Sequence, residues 1–354
     1  MTDTLEPDLD LSPEQHARIR DQIIDRVLAR TAAVHEGRPV AVILAGQPGA
    51  GKSGLCTQAR EDLRERGAVE VDVDALRRYH PQYADFLAQD DLSAAPRTQR
   101  NASRWADELR DAAIVGRRNL IIDGTLKNPD NAERLCERLR ESGYQVEVRA
   151  LAVAPENSRL GVYLRYEDAH AKAGAGRWVP ERVHDEAVAG MPESLRCIEQ
   201  HGLADRVQVY HRGSNQAIYD NAAALQGGID GAAKVVAAEH CREPTFDEHR
   251  DGVDGWRQWH ALAEMNGHLD KPYAQRGLDL EARAQVASLD AQCEAVIASG
   301  ERDTPDAQRL FAQRAKAHRE NLPAFDAAAP DRSSKGKDLG ADRSAGRTLD
   351  RDDR

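Results

Sequence analysis

Apolar and polar positions along the chain follow two alternating rhythms. Val40-Ala41-Val42-Ile43-Leu44-Ala45 is an unbroken apolar run, as are residues 120–122 of the strand at 119–122 and residues 150–153 of the strand at 145–153. Short runs of this kind read as strands buried on both faces. Residues 69–74 alternate instead (Val69-Glu70-Val71-Asp72-Val73-Asp74), and residues 206–210 form a fifth short strand. Between these lie stretches with helical spacing. Ile19, Ile23, Val27 and Thr31 share one face of the first; Ala102, Trp105, Ala106, Leu109, Ala113 and Ile114 share one face of residues 96–118. Residues 54–66, 129–142, a long segment after Pro155 and another opened by Pro180 complete the set. Ser12-Pro13-Glu14-Gln15 supplies a capping box with proline in the first turn, and Gly143 sits where a helix C-cap belongs. Strands joined by helical crossovers predict an α/β domain, with a parallel sheet of about five strands and helices on both faces.

Beyond Gly227 the strand-like runs stop. Helical patterns appear at 231–239, 253–265, 280–298 and 306–321. Trp256 and Trp259 stand at i, i+3, so one face can pack this helical extension onto the preceding domain. From residue 327 the chain is rich in Asp, Arg, Ser and Gly, which predicts disorder. The expected organisation is a flexible N-terminus at 1–11, an α/β domain at 12–226, a helical extension at 227–326 and a disordered tail at 327–354.

Composition narrows the function classes. A net charge of −11 argues against a general nucleic-acid binder. Aromatics are only 5% of the 354 residues, so the core is built from Ala, Leu, Val and Ile. Five scattered cysteines without a C-x-x-C pair argue against a zinc site and a disulfide framework. The first twelve residues lack the apolar segment of a signal peptide, and no run reaches membrane-spanning length. The expectation is a cytoplasmic protein with no membrane association; export by a dedicated secretion system stays open.

The chemistry starts at Gly46-Gln47-Pro48-Gly49-Ala50-Gly51-Lys52-Ser53. This matches the phosphate-binding G-x-x-x-x-G-K-[ST] loop, and it follows a strand and precedes a helix. Its glycines let successive N–H groups face phosphate oxygens, and the helix N-terminus that continues through Gly54 adds positive potential. Lys52 is expected to reach the β- and γ-phosphates of ATP, and the Ser53 hydroxyl to hold Mg2+. Asp72 and Asp74 fall on one face if the strand runs through both; the alternative is a pair of helix-capping aspartates. Asp123-Gly124-Thr125 ends the next strand, where ligands collect in open α/β sheets. Gly174-Ala175-Gly176-Arg177 reads as a mobile lid carrying an arginine toward the transferring phosphate, or as a plain surface turn. Arg100 and Arg104 read as a solvated helix face.

Taken in order, these stretches resemble the zeta toxins, P-loop kinases of toxin–antitoxin systems. The resemblance spans about residues 12–215. It rests on the Gln-Pro-containing phosphate loop, Val-Asp-Val-Asp-Ala-Leu with His80-Pro81 after it, and Ile122-Asp123-Gly124-Thr125. It continues through Leu164-Arg165-Tyr166-Glu167, Gly176-Arg177, and His184-Asp185 as far as Met191-Pro192-Glu193-Ser194-Leu195. It implies transfer of the ATP γ-phosphate to the sugar 3′-hydroxyl of UDP-N-acetylglucosamine, which blocks cell-wall synthesis, and an antitoxin protein as partner. It carries Lys52 and Ser53 over as phosphate and Mg2+ ligands, Asp74 as catalytic base, and Arg165 and Arg177 as the clamp on the transferring phosphate. Asp123 and Thr125 fall on sugar-contacting positions, and Asp72 and His80 of the second stretch join them as acceptor residues. Two departures stand out. The Asp123 position is usually Glu in the family, and the compact toxins are expected to lack the region after Gly227. Two other readings remain: a kinase of NAD, a nucleoside or an antibiotic, and a nucleotide-gated binding protein without small-molecule transfer.

Overall fold

The computed structural model of the chain describes residues 11–222 and 231–321. Its sheet has six strands in the order β2-β3-β1-β4-β5-β6. These are β1 (Val40–Ala45), β2 (Val69–Val71), β3 (Leu120–Asp123), β4 (Gln145–Ala152), β5 (Arg206–His211) and β6 (Ala217–Asp220). The first five are parallel, as the helical crossovers require; β6 is antiparallel to β5 at the edge. Four half-exposed residues on an edge carry little apolar pattern, so β6 leaves almost no sequence signal.

The central strand splits its side chains between two cores. Ala41, Ile43 and Ala45 join one apolar cluster, while Val42 and Leu44 join another on the opposite face. The first core is roofed by α1 (Pro13–Leu28), α4 (Tyr83–Val115), α5 (Pro129–Glu141) and α7 (Glu181–Gln200); α2 (Ser53–Asp62) covers the second. The Ser12–Gln15 capping box is present at the start of α1, and Gly143 follows α5 with a φ of 79°. Trp105 is buried in this layer, and its indole N–H donates to the His16 carbonyl.

The alternating segment at 69–74 is not one strand. It ends at Val71, and the Asp72 side chain accepts from the Asp74 amide to cap a one-turn helix, α3 (Val73–Leu76). The capping reading therefore holds for Asp72. His80 also departs from expectation. It is buried, with its ring against Phe86 and Trp105, and does not line the cleft described below. Apolar packing has drawn it inward.

The chain divides into two compact units, 1–291 and 292–354. In the first, α6 (Pro155–Ala173) carries an aromatic cluster. Trp256 and Trp259 of α9 (Phe246–Met265) meet Tyr163 of α6 edge-on at 5.2 and 5.5 Å. The two tryptophans thus pack the extension onto the α/β domain. Helix α8 (Gly231–Cys241) packs on α7, and α10 (Ala274–Ser299) begins beside this cluster. The second unit contains α11 (Pro305–Asn321). The expected boundary at 226/227, the N-terminal segment up to residue 10 and the tail from 327 all lie outside the described residues. Among the described residues no helix is long and apolar enough to cross a membrane.

Candidate active site

The phosphate loop leaves the carboxyl end of β1, the central strand. Gly49 and Gly51 adopt φ of 79° and 94°, a region that side chains disfavour. A Cβ on Gly49 would stand 1.9 Å from the Ser158 carbonyl oxygen, so only glycine fits. The loop is held from behind. Gln47 is fully buried, and its Nε2 donates to the Val153 carbonyl at 2.7 Å and to Ser158 Oγ at 3.2 Å. Arg212, just past β5, donates from Nε to the Ala50 carbonyl at 2.9 Å and from its terminal nitrogen to the Gly49 carbonyl. Pro48, Gly49, Gly51, Lys52 and Ser53 line a cleft of about 1840 Å3; Gly46, Gln47, Ala50 and Gly54 do not. Gly46 instead offers its carbonyl to Lys52 Nζ at 2.8 Å.

Asp74, Asp123 and Thr125 face the same cleft, joined by Asp72 at its rim. Leu44 of β1 pairs in register with Asp123 of β3, which sets the Asp123 carboxylate 3.9 Å from Lys52 Nζ. Asp74 sits in the first turn of α3 and is held on both oxygens. Arg77 Nε donates to Oδ1 at 3.1 Å, and an Arg177 terminal nitrogen lies 2.7 Å from Oδ2. Arg77 is itself buried and donates to the Ala95 carbonyl, Thr98 Oγ1 and Gln99 Oε1 of α4.

Arg165 projects from α6 and Arg177 from the loop after it, both into the cleft. Burial, with Arg177 adding repulsion, lowers the Arg165 guanidinium to about 10. Burial likewise pulls the Lys52 ammonium down against the attraction of Asp123, and pushes the Asp123 carboxyl up despite Lys52. Three cations are thus crowded and partly desolvated at one end of the cleft. A polyanion placed there would relieve their mutual repulsion. The Arg177 loop is not a free lid. The Gly176 N–H donates to Asp91 Oδ2 at 2.9 Å, and Asp91 Oδ1 accepts from Tyr166 at 2.9 Å.

Sequence reasoning missed Arg77, Arg212 and Asp91. Arg77 had a local signal, three residues after Asp74 on a helical stretch. The other two act across long separations and had none. Arg100, read as solvated, lines the cleft together with Arg97 and Arg182, whereas Arg104 pairs with Glu108. Ser158 Oγ lies 2.8 Å from His184 Nε2, and His184 Nδ1 lies 2.9 Å from Asp185. This looks like a nucleophilic triad, but Ser158 is fully buried beneath the phosphate loop and reaches no substrate. It is a strut.

With this geometry in hand, similarity to known proteins is informative. A family model described as zeta toxin matches residues 24–224. Toxin PezT of Streptococcus pneumoniae serotype 4 is 28% identical over 185 residues, covering 52% of this chain and 72% of that protein. Toxin zeta of Enterococcus hirae is 26% identical over 196 residues, covering 55% and 67%. A solved structure of the PezAT chromosomal toxin–antitoxin system of Streptococcus pneumoniae aligns with TM-score 0.62 at 23% identity. It covers 72% of this chain and 99% of that one. Coverage of 72% of 354 residues is about 255, more than the 226 that precede Gly227. The likeness of fold therefore runs into the helical extension, contrary to the expectation that compact toxins lack it.

Proposed function

The chain belongs to the zeta toxin family, whose members are phosphotransferases, and from that premise we propose an ATP-dependent kinase of a nucleotide sugar. The acceptor is the sugar 3′-hydroxyl of UDP-N-acetylglucosamine, and the consequence is a block in cell-wall synthesis in the cytoplasm. One observation carries this reading. Lys52, Asp74, Asp123, Arg165 and Arg177 meet in a single cleft whose volume exceeds the roughly 300–1,000 Å3 of a one-ligand pocket. Two substrates can therefore lie together.

In this mechanism the loop amides and Lys52 hold the phosphates of ATP. Lys52 exchanges its contact with the Gly46 carbonyl for phosphate oxygen. Asp74, fixed by Arg77, orients the acceptor hydroxyl and takes its proton. Arg165 and Arg177 face the charge that spreads over the transferring group. Arg177 leaves Asp74 to do so, which frees the Oδ2 atom for the acceptor. Asp123 and Thr125 hold the sugar. Asp123 is one methylene shorter than the usual glutamate, so its sugar contact shifts. Arg97, Arg100 and Arg182 give the same cleft cationic wall for the acceptor's diphosphate.

Ser53 lines the cleft beside Lys52 at the start of α2, and its hydroxyl would hold a largely hydrated Mg2+ against the phosphates. When bound, that ion supplies charge neutralisation on the phosphates. An antitoxin partner is proposed by analogy with the PezAT system.

The test incubates purified protein with ATP, Mg2+ and a panel of UDP-N-acetylglucosamine, NAD, a nucleoside and an aminoglycoside, then weighs the products. One added phosphoryl group on the nucleotide sugar is expected. Phosphorylation of another acceptor alone would reassign the substrate. ATP binding with no product at all would favour a nucleotide-gated binding protein.

A further inference from the structure

Glu167 is a carboxylate with no solvent exposure, two residues beyond Arg165 on α6. Such a group is tolerated only with donors on its oxygens. Three groups supply them from beyond residue 265. The Tyr273 hydroxyl donates to Oε1; Asn266 Nδ2 and His268 Nδ1 each lie 2.8 Å from Oε2. Asn266 Nδ2 also reaches the Glu167 backbone carbonyl at 3.0 Å. The extension thus grips both the side chain and the main chain of the helix that carries Arg165.

Tyr273 links the second arginine as well. Its ring lies 4.4 Å from that of Trp178, the residue after Arg177. On the other side, Tyr166 and the Gly176 amide share the Asp91 carboxylate. Close approach makes the assembly stiff. A Cβ on Gly255 of α9 would stand 2.6 Å from Leu160 Cδ2, and one on Gly277 of α10 would stand 2.2 Å from Trp259. Both arginines are therefore indexed to one buried polar and aromatic cluster.

We propose that Glu167 with Asn266, His268 and Tyr273 forms a positioning device for Arg165 and Arg177, making the helical extension a working part of the transfer site. This rests on the reading that Arg165 and Arg177 engage the transferring phosphate. None of the four residues lines the cleft, so they act through the arginines and are not catalytic residues. The phosphate loop alone binds what ATP and ADP share. The arginines add affinity only where the γ-phosphate lies. Loosening the device lowers the preference for ATP over ADP and leaves ADP affinity intact, whereas a merely structural role lowers melting temperature without moving that ratio.

The experiment measures ATP and ADP affinities calorimetrically for the full chain and for Arg165→Ala, Tyr273→Phe and Asn266→Ala, below their melting temperatures. Arg165→Ala sets the scale of the ATP preference. Tyr273→Phe and Asn266→Ala are each expected to lose about three- to tenfold of it, the size of one ordinary net hydrogen bond. If Arg165→Ala lowers the preference while both extension variants match wild type, the positioning device is overturned and the arginine reading stands. If Arg165→Ala itself leaves the preference unchanged, the arginine reading falls and takes the device with it. Using two extension variants keeps the test open if one fails to fold.

Discussion

A terminal nitrogen of Arg177 lies 2.7 Å from Oδ2 of Asp74, so the group that would take the acceptor's proton already touches one that would clamp the phosphate. The other oxygen of Asp74 is held by buried Arg77. The two arginines are not equivalent. Arg77 is fastened to α4 by three further hydrogen bonds, whereas Arg177 faces the cleft. Binding of ATP can exchange the Arg177 contact and leave the Arg77 contact in place. Arg177→Ala is therefore expected to lower kcat by about 10²- to 10³-fold, as for loss of one transition-state donor. ADP affinity should change little. Steady-state kinetics with calorimetry checks this, and an unchanged kcat would count against the clamp.

Arg77→Ala removes the anchor of Asp74 and the three hydrogen bonds that tie the buried Arg77 to α4. It should cost about 2–4 kcal/mol of stability, in the range of a broken buried polar network. At temperatures where the variant remains folded, kcat should still fall, because Asp74 has lost its fixed orientation. Denaturant melts and kinetics on one preparation separate the two effects. Loss of stability with normal kcat would confine Arg77 to the core.

Arg212 holds the Gly49 and Ala50 carbonyls away from the ligand side of the loop. Arg212→Ala should weaken ATP and ADP binding alike, by about tenfold for two lost charge-assisted hydrogen bonds with partial replacement by water. The equal effect on both nucleotides distinguishes it from Arg165→Ala. A selective loss of ATP affinity would contradict this assignment.

Burial holds the His184 imidazole below its usual 6.5, with Asp185 only partly opposing it, and burial lowers His240 in the same direction. The unfolded chain therefore takes these protons first as pH falls. The stabilisation is complete above pH 6.5 and is lost as pH drops through that value toward the folded-state value. Melting temperature should be flat from pH 8 to 7 and decline below about 6.5. His184→Asn should flatten the decline. A wild-type profile level down to pH 5.5 would contradict it.

Much of the site could be read before the fold because phosphate-loop chemistry is local. Eight consecutive residues state the loop, and Asp74 and Arg177 follow recognisable elements, whereas Arg165 stands in the middle of α6 and is singled out only by the resemblance. The parallel sheet followed from runs of apolar residues at the right spacing. What stayed hidden is contact between distant residues. Arg212 reaches back 162 positions to Ala50, and Asp91 joins Tyr166 to Gly176 across more than 70. Asp72 was ambiguous because an alternating pattern ending in Asp fits both a strand and a cap. His80 misled because a polar residue near a candidate base looks functional until its aromatic neighbours are known.

The most direct measurement follows label from the γ-phosphate of ATP into UDP-N-acetylglucosamine, with wild type and Asp74→Asn side by side. Asn keeps the shape of Asp74 and its hydrogen bonding to the Arg77 side of the site is weakened, but it cannot take a proton. The account predicts labelled nucleotide sugar with wild type, at least about 10²-fold slower transfer by the variant, and ADP affinity unchanged. Near-normal transfer by Asp74→Asn, or no labelled sugar from wild type, would contradict it.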